Sequence, residues 1–381
     1  MPDKRTNGPH LPDLSIRNFR GIQHLSIRRL GRVTLLGGRN GIGKTTILEA
    51  VRVYAARAHP RALDEILGQR EETPRVFDED HLGARYRDYT ALFHGRAAAQ
   101  EPTVEIGPIS EPAELVMQLC PWEALADRQQ ELFAEISMVG DWQFLRVRFK
   151  GGEISFPAMP VERDPRAAEL RRHYTRSRRH GLFEYEQWGT LNCESLGPGI
   201  ADNSTLARFW DSVALTEEED LSLQALRLAS SDIERIAVVG DEGSGFRGHS
   251  RRIVAKVRGY ADPVPLKSLG DGATRLFAAG LALANSRGGF LMIDEAENGI
   301  HHSLEHAFWR MVLRAAHEYN VQVLATTHSS DCVAGFARAA AEAEHIDGSY
   351  VRLDGEGDRL RAVEYTEEEL QTVAEQAIEV R

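Results

Sequence analysis

Residues Gly38-Arg39-Asn40-Gly41-Ile42-Gly43-Lys44-Thr45 place three glycines just ahead of a lysine and a threonine. A glycine-rich turn of this kind wraps its backbone N–H groups around an anion. The lysine then reaches the terminal phosphates, and the hydroxyl completes the shell of a Mg²⁺ ion. The spacing predicts a polyphosphate cradle built from Gly38, Asn40, Gly41, Gly43, Lys44, Thr45 and Thr46, with Thr45 also on the metal. Far downstream, Asp294-Glu295 ends the apolar run Phe290-Leu291-Met292-Ile293. There Asp294 is placed to hold Mg²⁺, and Glu295 to orient or deprotonate the water that attacks a γ-phosphorus. The bland alternative for the pair is a cap on the next helix. His328 follows a further apolar run, Val321 to Ala325, where its side chain can touch the γ-phosphate and report its presence. Ser268-Leu269-Gly270-Asp271-Gly272 supplies another set of backbone donors and a hydroxyl at a helix start, with Ser268, Gly270 and Gly272 as a second phosphate contact.

These residues need particular elements to hold them. Val33-Thr34-Leu35-Leu36 suits a buried strand running into the glycine loop, and Ile47, Leu48, Val51, Tyr54 and Ala55 keep helical spacing behind it. Leu304, Ala307, Phe308, Met311, Val312 and Ala315 form one apolar stripe between the carboxylate strand and the histidine strand, which predicts a parallel strand–helix–strand crossover. Ligands gather at the carboxyl edge of such sheets. Leu276, Phe277, Gly280, Leu281 and Ala284 mark the apolar face of the helix that Ser268–Gly272 opens. One nucleotide does not fit two separate loops of one protomer, so this second contact would serve the nucleotide of a partner.

In this order the motifs resemble those of ABC-type ATPases, in the branch that includes the structural-maintenance-of-chromosomes heads, the RecF-like repair proteins and the overcoming-lysogenization-defect ATPases. Stand-alone AAA-family ATPases of bacterial anti-phage systems are similar too. Leu14 to Gly21 is similar to the opening "I-x-N-F-R" strand of that branch, and Gly38 to Thr45 matches its "G-x-N-G-x-G-K-[ST]" loop. Ser268 to Gly272 resembles its signature motif, with Leu269 where Gly is commoner. Asp294 to His302 looks like its Walker B and D-loop, and His328 like its switch histidine. The resemblance spans about 11–57 and 236–335. It implies an α/β P-loop fold of ABC-ATPase type: a mixed sheet with flanking helices, interrupted by a mostly helical insertion or lid. It also implies ATP and Mg²⁺ as ligands, with Lys44, Glu295 and His328 catalytic. A head-to-tail homodimer would hold each ATP between the phosphate loop of one subunit and Ser268 of the other, and higher oligomers are open to it.

The expected organisation is an N-terminal half-core at 1–57, an insertion at 58–235 and a C-terminal half-core at 236–381. Prolines at 102, 108, 112, 121, 157, 160 and 165 break any long coiled coil in the insertion. Helices are expected near Pro121–Glu135, Pro165–Gly181 and Thr216–Ala229. A strand Trp142–Phe149 should pair with a neighbour ending near Phe156. Glu234–Val239 should pair with Arg252–Val257, and Tyr350–Leu353 with Leu360–Val363, ahead of a helix at Glu367–Ala377. Gln69, Gln118 and Gln129 are left open as the glutamine that orients the metal in ABC proteins. Arg20 either approaches the nucleotide or holds its strand to an acidic neighbour.

The chain has 381 residues, a net charge of −11 and 42% hydrophobic residues, which suits a folded cytosolic protein of more than one core. Cys120, Cys193 and Cys332 show neither metal nor disulfide spacing. The N-terminus lacks an apolar signal core and no run spans a bilayer, so no membrane partner is expected. The basic stretch Arg171–His180 has two readings: a phosphate-backbone contact for DNA or RNA, or a solvated helix face, the commoner fate of a charge run. About fifty residues follow His328, too few for the metal-dependent nuclease domain of the overcoming-lysogenization-defect enzymes. The expected role is therefore an ATPase that senses for, and regulates, a separately encoded nuclease or toxin. The alternatives are a RecF- or SMC-like DNA-handling clamp and a nucleotide switch without turnover.

Overall fold

Apolar runs without polar alternation predict strands covered on both faces, and the centre of the molecule is built from them. The computed structural model describes residues 8–72, 75–78, 81–85, 89–96, 102–125, 130, 142–160, 188–240, 251–343, 346–356, 359–366, 369–370 and 372. In chain order, β1 (Leu14–Phe19) and β2 (Ile22–Ile27) form a hairpin that leads to β3 (Val33–Gly38), α1 (Lys44–Ala55) and α2 (Pro60–Gln69). A small pair, β4 (Arg75–Asp78) and β5 (His81–Arg85), precedes β6 (Thr103–Gly107), β7 (Leu115–Pro121), β8 (Trp142–Phe149) and β9 (Gly152–Pro160). Next come β10 (Cys193–Leu196), α3 (Asn203–Val213), α4 (Glu219–Arg227), β11 (Ile233–Gly240), β12 (Arg251–Val257) and β13 (Val264–Pro265). The C-terminal part contains α5 (Asp271–Asn285), β14 (Phe290–Ile293), α6 (His302–Glu318), β15 (Gln322–Thr326), α7 (Ser330–Glu342), β16 (Gly348–Glu356) and β17 (Arg359–Tyr365).

The central sheet runs β10-β14-β15-β3-β16-β17, parallel except for β17. Strand alternation sorts its side chains between two cores. Leu291, Ile293, Val323, Ala325, Val33 and Leu35 face a core shared with α3 to α7. Phe290, Met292, Leu324 and Leu36 face one shared with α1 and a second sheet. That second sheet is antiparallel, β2-β1-β6-β7-β8-β9, and is knit by registers such as Ile16↔Ile106 and Met117↔Val147. The protein is a mixed α/β structure, a largely parallel central sheet with helices beside it and a separate antiparallel sheet.

Several expected elements are present: the β8–β9, β11–β12 and β16–β17 pairs, the Glu219–Arg227 helix, and β14–α6–β15 with its two strands parallel. Within 58–235 the described residues are richer in strand than the expected mostly helical lid. Val104 and Ile106, then Leu115, Met117 and Leu119, alternate into one core, which is the period of a strand. Strand β10 adds itself to the edge of the central sheet. Where a helix was expected from Pro121, a single 3₁₀ turn, Trp122–Ala124, follows β7. Most of the rest of that span, the Pro165–Gly181 helix and the Arg171–His180 stretch all lie outside the described residues, as does most of Glu367–Ala377. Among the described residues no helix is long and apolar enough to cross a membrane, and no group of three His, Cys, Asp or Glu residues is placed to hold a metal.

Candidate functional site

The buried strand β3 ends at the glycine loop, and α1 starts on Gly43, whose φ of +108° a side chain rarely adopts. No side chain caps α1, whereas α3 and α7 are capped by Asp202 and Ser329. The first N–H groups of α1 therefore remain open to an anion, alongside the positive end of the helix dipole. Lys44 is 8% exposed and donates from Nζ to the carbonyls of Gly38 at 2.6 Å and Arg39 at 3.0 Å. Burial lowers its pKa, against the opposing charges of Glu297, Asp294 and Glu295. Thr46 is buried, with its hydroxyl 3.5 Å from the Arg70 guanidinium, while Asn40 and Gly41 face solvent.

The carboxyl ends of β3, β14 and β15 meet because these strands are neighbours in register, with Ile293 beside Ala325 and Thr326 beside Leu36. The Thr45 hydroxyl consequently donates to Asp294, at 3.1 Å from Oδ1 and 3.0 Å from Oδ2. Thr326 donates its hydroxyl proton to Asp294 Oδ1 at 2.6 Å and accepts from the Glu295 N–H at 2.8 Å. Glu295 has φ +48°, a conformation uncommon for a residue with a side chain, and its carboxylate accepts from Asn298 Nδ2 at 2.5 Å. His328 is partly exposed and leans on Glu297, not on Glu295: Glu297 Oε1 lies 2.9 Å from Nδ1 and accepts the His328 backbone N–H at 2.8 Å.

Ser268 and Gly270 are exposed, on a 3₁₀ turn and at the start of α5, which has no side-chain cap either. Among the described residues they make no hydrogen bond to the phosphate loop. Gly272 packs against the turn after the Asp294–Glu295 pair, since a Cβ there would lie 2.7 Å from the Gly299 carbonyl oxygen. Arg275, one turn into α5, is 4% exposed. It donates to the Gly197 and Gly199 carbonyls at 2.5 and 3.2 Å and to those of Asp294 and Glu295 at 2.8 and 3.2 Å. Burial lowers its pKa, opposed by the same three carboxylates.

The structure thus gathers the phosphate loop, Asp294, Glu295 and His328 at one sheet edge and leaves Ser268 and Gly270 facing outward. Sequence reasoning passed over Thr326, Glu297 and Arg275. A Thr at a strand end and a second Glu two residues past the first were visible, but not what they touch. Of the three glutamines left open, Gln69 lines a cavity of about 540 Å³ with Thr45, Glu49, Arg52, Arg70 and Asp294. Gln118 lies on β7 beside Arg146, and Gln129 is outside the described residues. Arg20 pairs with Glu49 at 2.8 Å and Glu72 at 2.7 Å, so it ties its turn to acidic neighbours.

Sequence comparison agrees with this geometry. Residues 156–332 match a family model described as "AAA domain, putative AbiEii toxin, Type IV TA system", and residues 13–80 match a second AAA-domain model. The two matched segments each bring part of the site: 13–80 holds the phosphate loop, and 156–332 holds Asp294, Glu295 and His328. Among solved structures, the chain is similar to an SMC head bound to the C-winged helix domain of ScpA (12% identity, 94% of this chain and 98% of that one, TM-score 0.47). It is also similar to the SMC head domain from Thermotoga maritima (12%, 93% and 99%, 0.41). A third is the Smc head with an extended coiled coil bound to a ScpA domain derived from Pyrococcus furiosus (11%, 97% and 99%, 0.45). No curated protein is significantly similar in sequence.

Proposed function

We propose that this protein hydrolyses ATP and closes head-to-tail with a second copy around two ATP molecules, regulating a separately encoded effector. The observation that carries the hydrolytic reading is the direct bond between the Thr45 hydroxyl and Asp294, beside the Glu295 carboxylate. Hard oxygen donors from both halves of the chain converge there, as a Mg²⁺ ion requires. Thr45 and Asp294 would hold the ion, and Mg²⁺ when bound would neutralise charge on the phosphate oxygens. Lys44 exchanges its two loop carbonyls for phosphate oxygens. The open N–H groups of the loop and α1 hold the β-phosphate, Glu295 takes a proton from the attacking water, and His328 meets the γ-phosphate. Gln69, at the wall of the same cavity, is the glutamine best placed to approach the metal.

The effector reading draws on the toxin–antitoxin wording of the matched family. Steady-state phosphate release tests the hydrolytic reading. Glu295→Gln is expected to lower kcat by about 10²- to 10⁴-fold while ATP stays bound, and Lys44→Ala is expected to lose retention of ATP itself. A Glu295→Gln protein turning over at the wild-type rate would remove that residue from its role. A wild-type protein that binds ATP without phosphate release would make the chain a nucleotide switch.

A further inference from the structure

We infer that Glu297 is a positioning residue for His328: its carboxylate sets the orientation and tautomer of the imidazole and turns Nε2 toward the phosphate site. Glu297 lies in the turn after β14 and His328 just past β15, so the contact bridges two neighbouring strand ends. A single oxygen, Oε1, meets both the His328 backbone N–H at 2.8 Å and Nδ1 at 2.9 Å. Two contacts to one atom fix the ring relative to its own backbone, which one contact would not do. The Glu297 side chain is 10% exposed and that of His328 43% exposed, so the anchor is buried and the working end of the ring is open. The second oxygen, Oε2, is buried without a hydrogen-bond partner, an arrangement that costs stability unless something else requires the carboxylate there.

The chemistry follows from the two ring nitrogens. A carboxylate opposite Nδ1 accepts only, so Nδ1 carries the proton and a neutral ring presents Nε2 as an acceptor. A protonated ring presents Nε2–H to a phosphate oxygen instead, with Glu297 balancing its charge. Either way Nε2 is the atom offered to the nucleotide. The link to turnover rests on the proposed contact of His328 with the γ-phosphate; the tautomer does not.

Side-chain ¹⁵N NMR of the full chain tests this at about pH 8.5, where imidazoles are ordinarily neutral, with the His328 signals assigned by their loss in His328→Gln. The wild-type ring is expected as the Nδ1–H tautomer. Glu297→Ala should shift it toward Nε2–H, and Glu297→Gln, whose amide oxygen still accepts, should keep Nδ1–H. In phosphate release, Glu297→Ala should lower kcat by about 10- to 100-fold with KM for ATP within about twofold, and Glu297→Gln should recover part of the loss. An unchanged His328 tautomer in a folded Glu297→Ala protein overturns the inference, including when kcat falls. A tautomer that shifts in a chain showing no ATPase activity supports the positioning role and counts against the hydrolytic reading instead.

Discussion

Thr326 ends β15 with a hydroxyl that donates to Asp294 and accepts from the Glu295 backbone, so one small side chain orients both members of the acidic pair. Thr326→Val keeps the shape and removes both bonds. Its expected cost is about 1–3 kcal/mol of stability from the polar groups left without a partner, read by denaturant unfolding, together with a lower kcat. Glu305 has a different logic. It is 4% exposed on α6, and burial, with the charges of Asp331 and Glu297 added, pushes its carboxyl from 4.5 up to about 7. The folded chain therefore binds more protons than the unfolded one between these values. Its contribution to stability is fully present below about pH 4.5 and is lost as pH rises through about 7. Glu305→Gln should raise the melting temperature at pH 8, by on the order of 1–2 kcal/mol in stability, and change little at pH 5. A shift of equal size at both pH values would contradict the assignment.

At the scale of elements, buried ion pairs and close helix crossings hold the site's supports in place. Arg20 lies in the β1–β2 turn, and its partners Glu49 on α1 and Glu72 beyond α2 have side chains only 10–11% exposed. Arg70 and Arg96 complete the network. Burial raises the pKa of Glu49, and Arg20 and Arg70 oppose that rise. Removing one partner strands the others, so Arg20→Ala should cost about 3–5 kcal/mol, measured by chemical denaturation. On α5, a Cβ at Gly280 would lie 2.8 Å from the Ala225 Cβ and 2.9 Å from the Ser222 Cα of α4. Gly280→Val should cost about 1–3 kcal/mol by overpacking and displace the helix that carries Arg275. Apolar periodicity made β3, β14, β15, α5 and α6 legible in advance. Strands β6 and β7 were less so: Pro102, Pro108 and Pro112 interrupt the pattern at strand ends, and β6 is ordered by pairing with β1, far off in sequence, and β7 by pairing with β6.

For the whole molecule, the outward-facing Ser268 and Gly270 at the uncapped start of α5 are the feature the proposed dimer uses. A γ-phosphate bridging two copies would add contacts that ADP cannot make. Light scattering of Glu295→Gln is expected to give double the mass with ATP–Mg²⁺ and the single-chain mass with ADP. Ser268→Arg in that background should hold the protein at single mass with either nucleotide, because the change fills the trans contact and leaves the phosphate loop intact. A mass indifferent to nucleotide would argue against ATP-driven closure.

Local sequence determined the glycine loop, the paired carboxylates and the strands that deliver them, because a strand, a turn and a helix start depend on residues only a few positions apart. The tertiary structure decided which of these groups meet. The Thr45–Asp294 bond joins residues 249 positions apart, and it exists because β14 and β3 both flank β15 in the sheet. The partner of His328 was settled in the same way. Glu295 and Glu297 are almost equally far from His328 in sequence, but the left-handed backbone at Glu295 turns the chain, and it is the Glu297 carboxylate that reaches His328. Arg20 found Glu49 and Glu72 through the packing of α1 and α2 against the first hairpin, a long-range arrangement on which local residue patterns are silent.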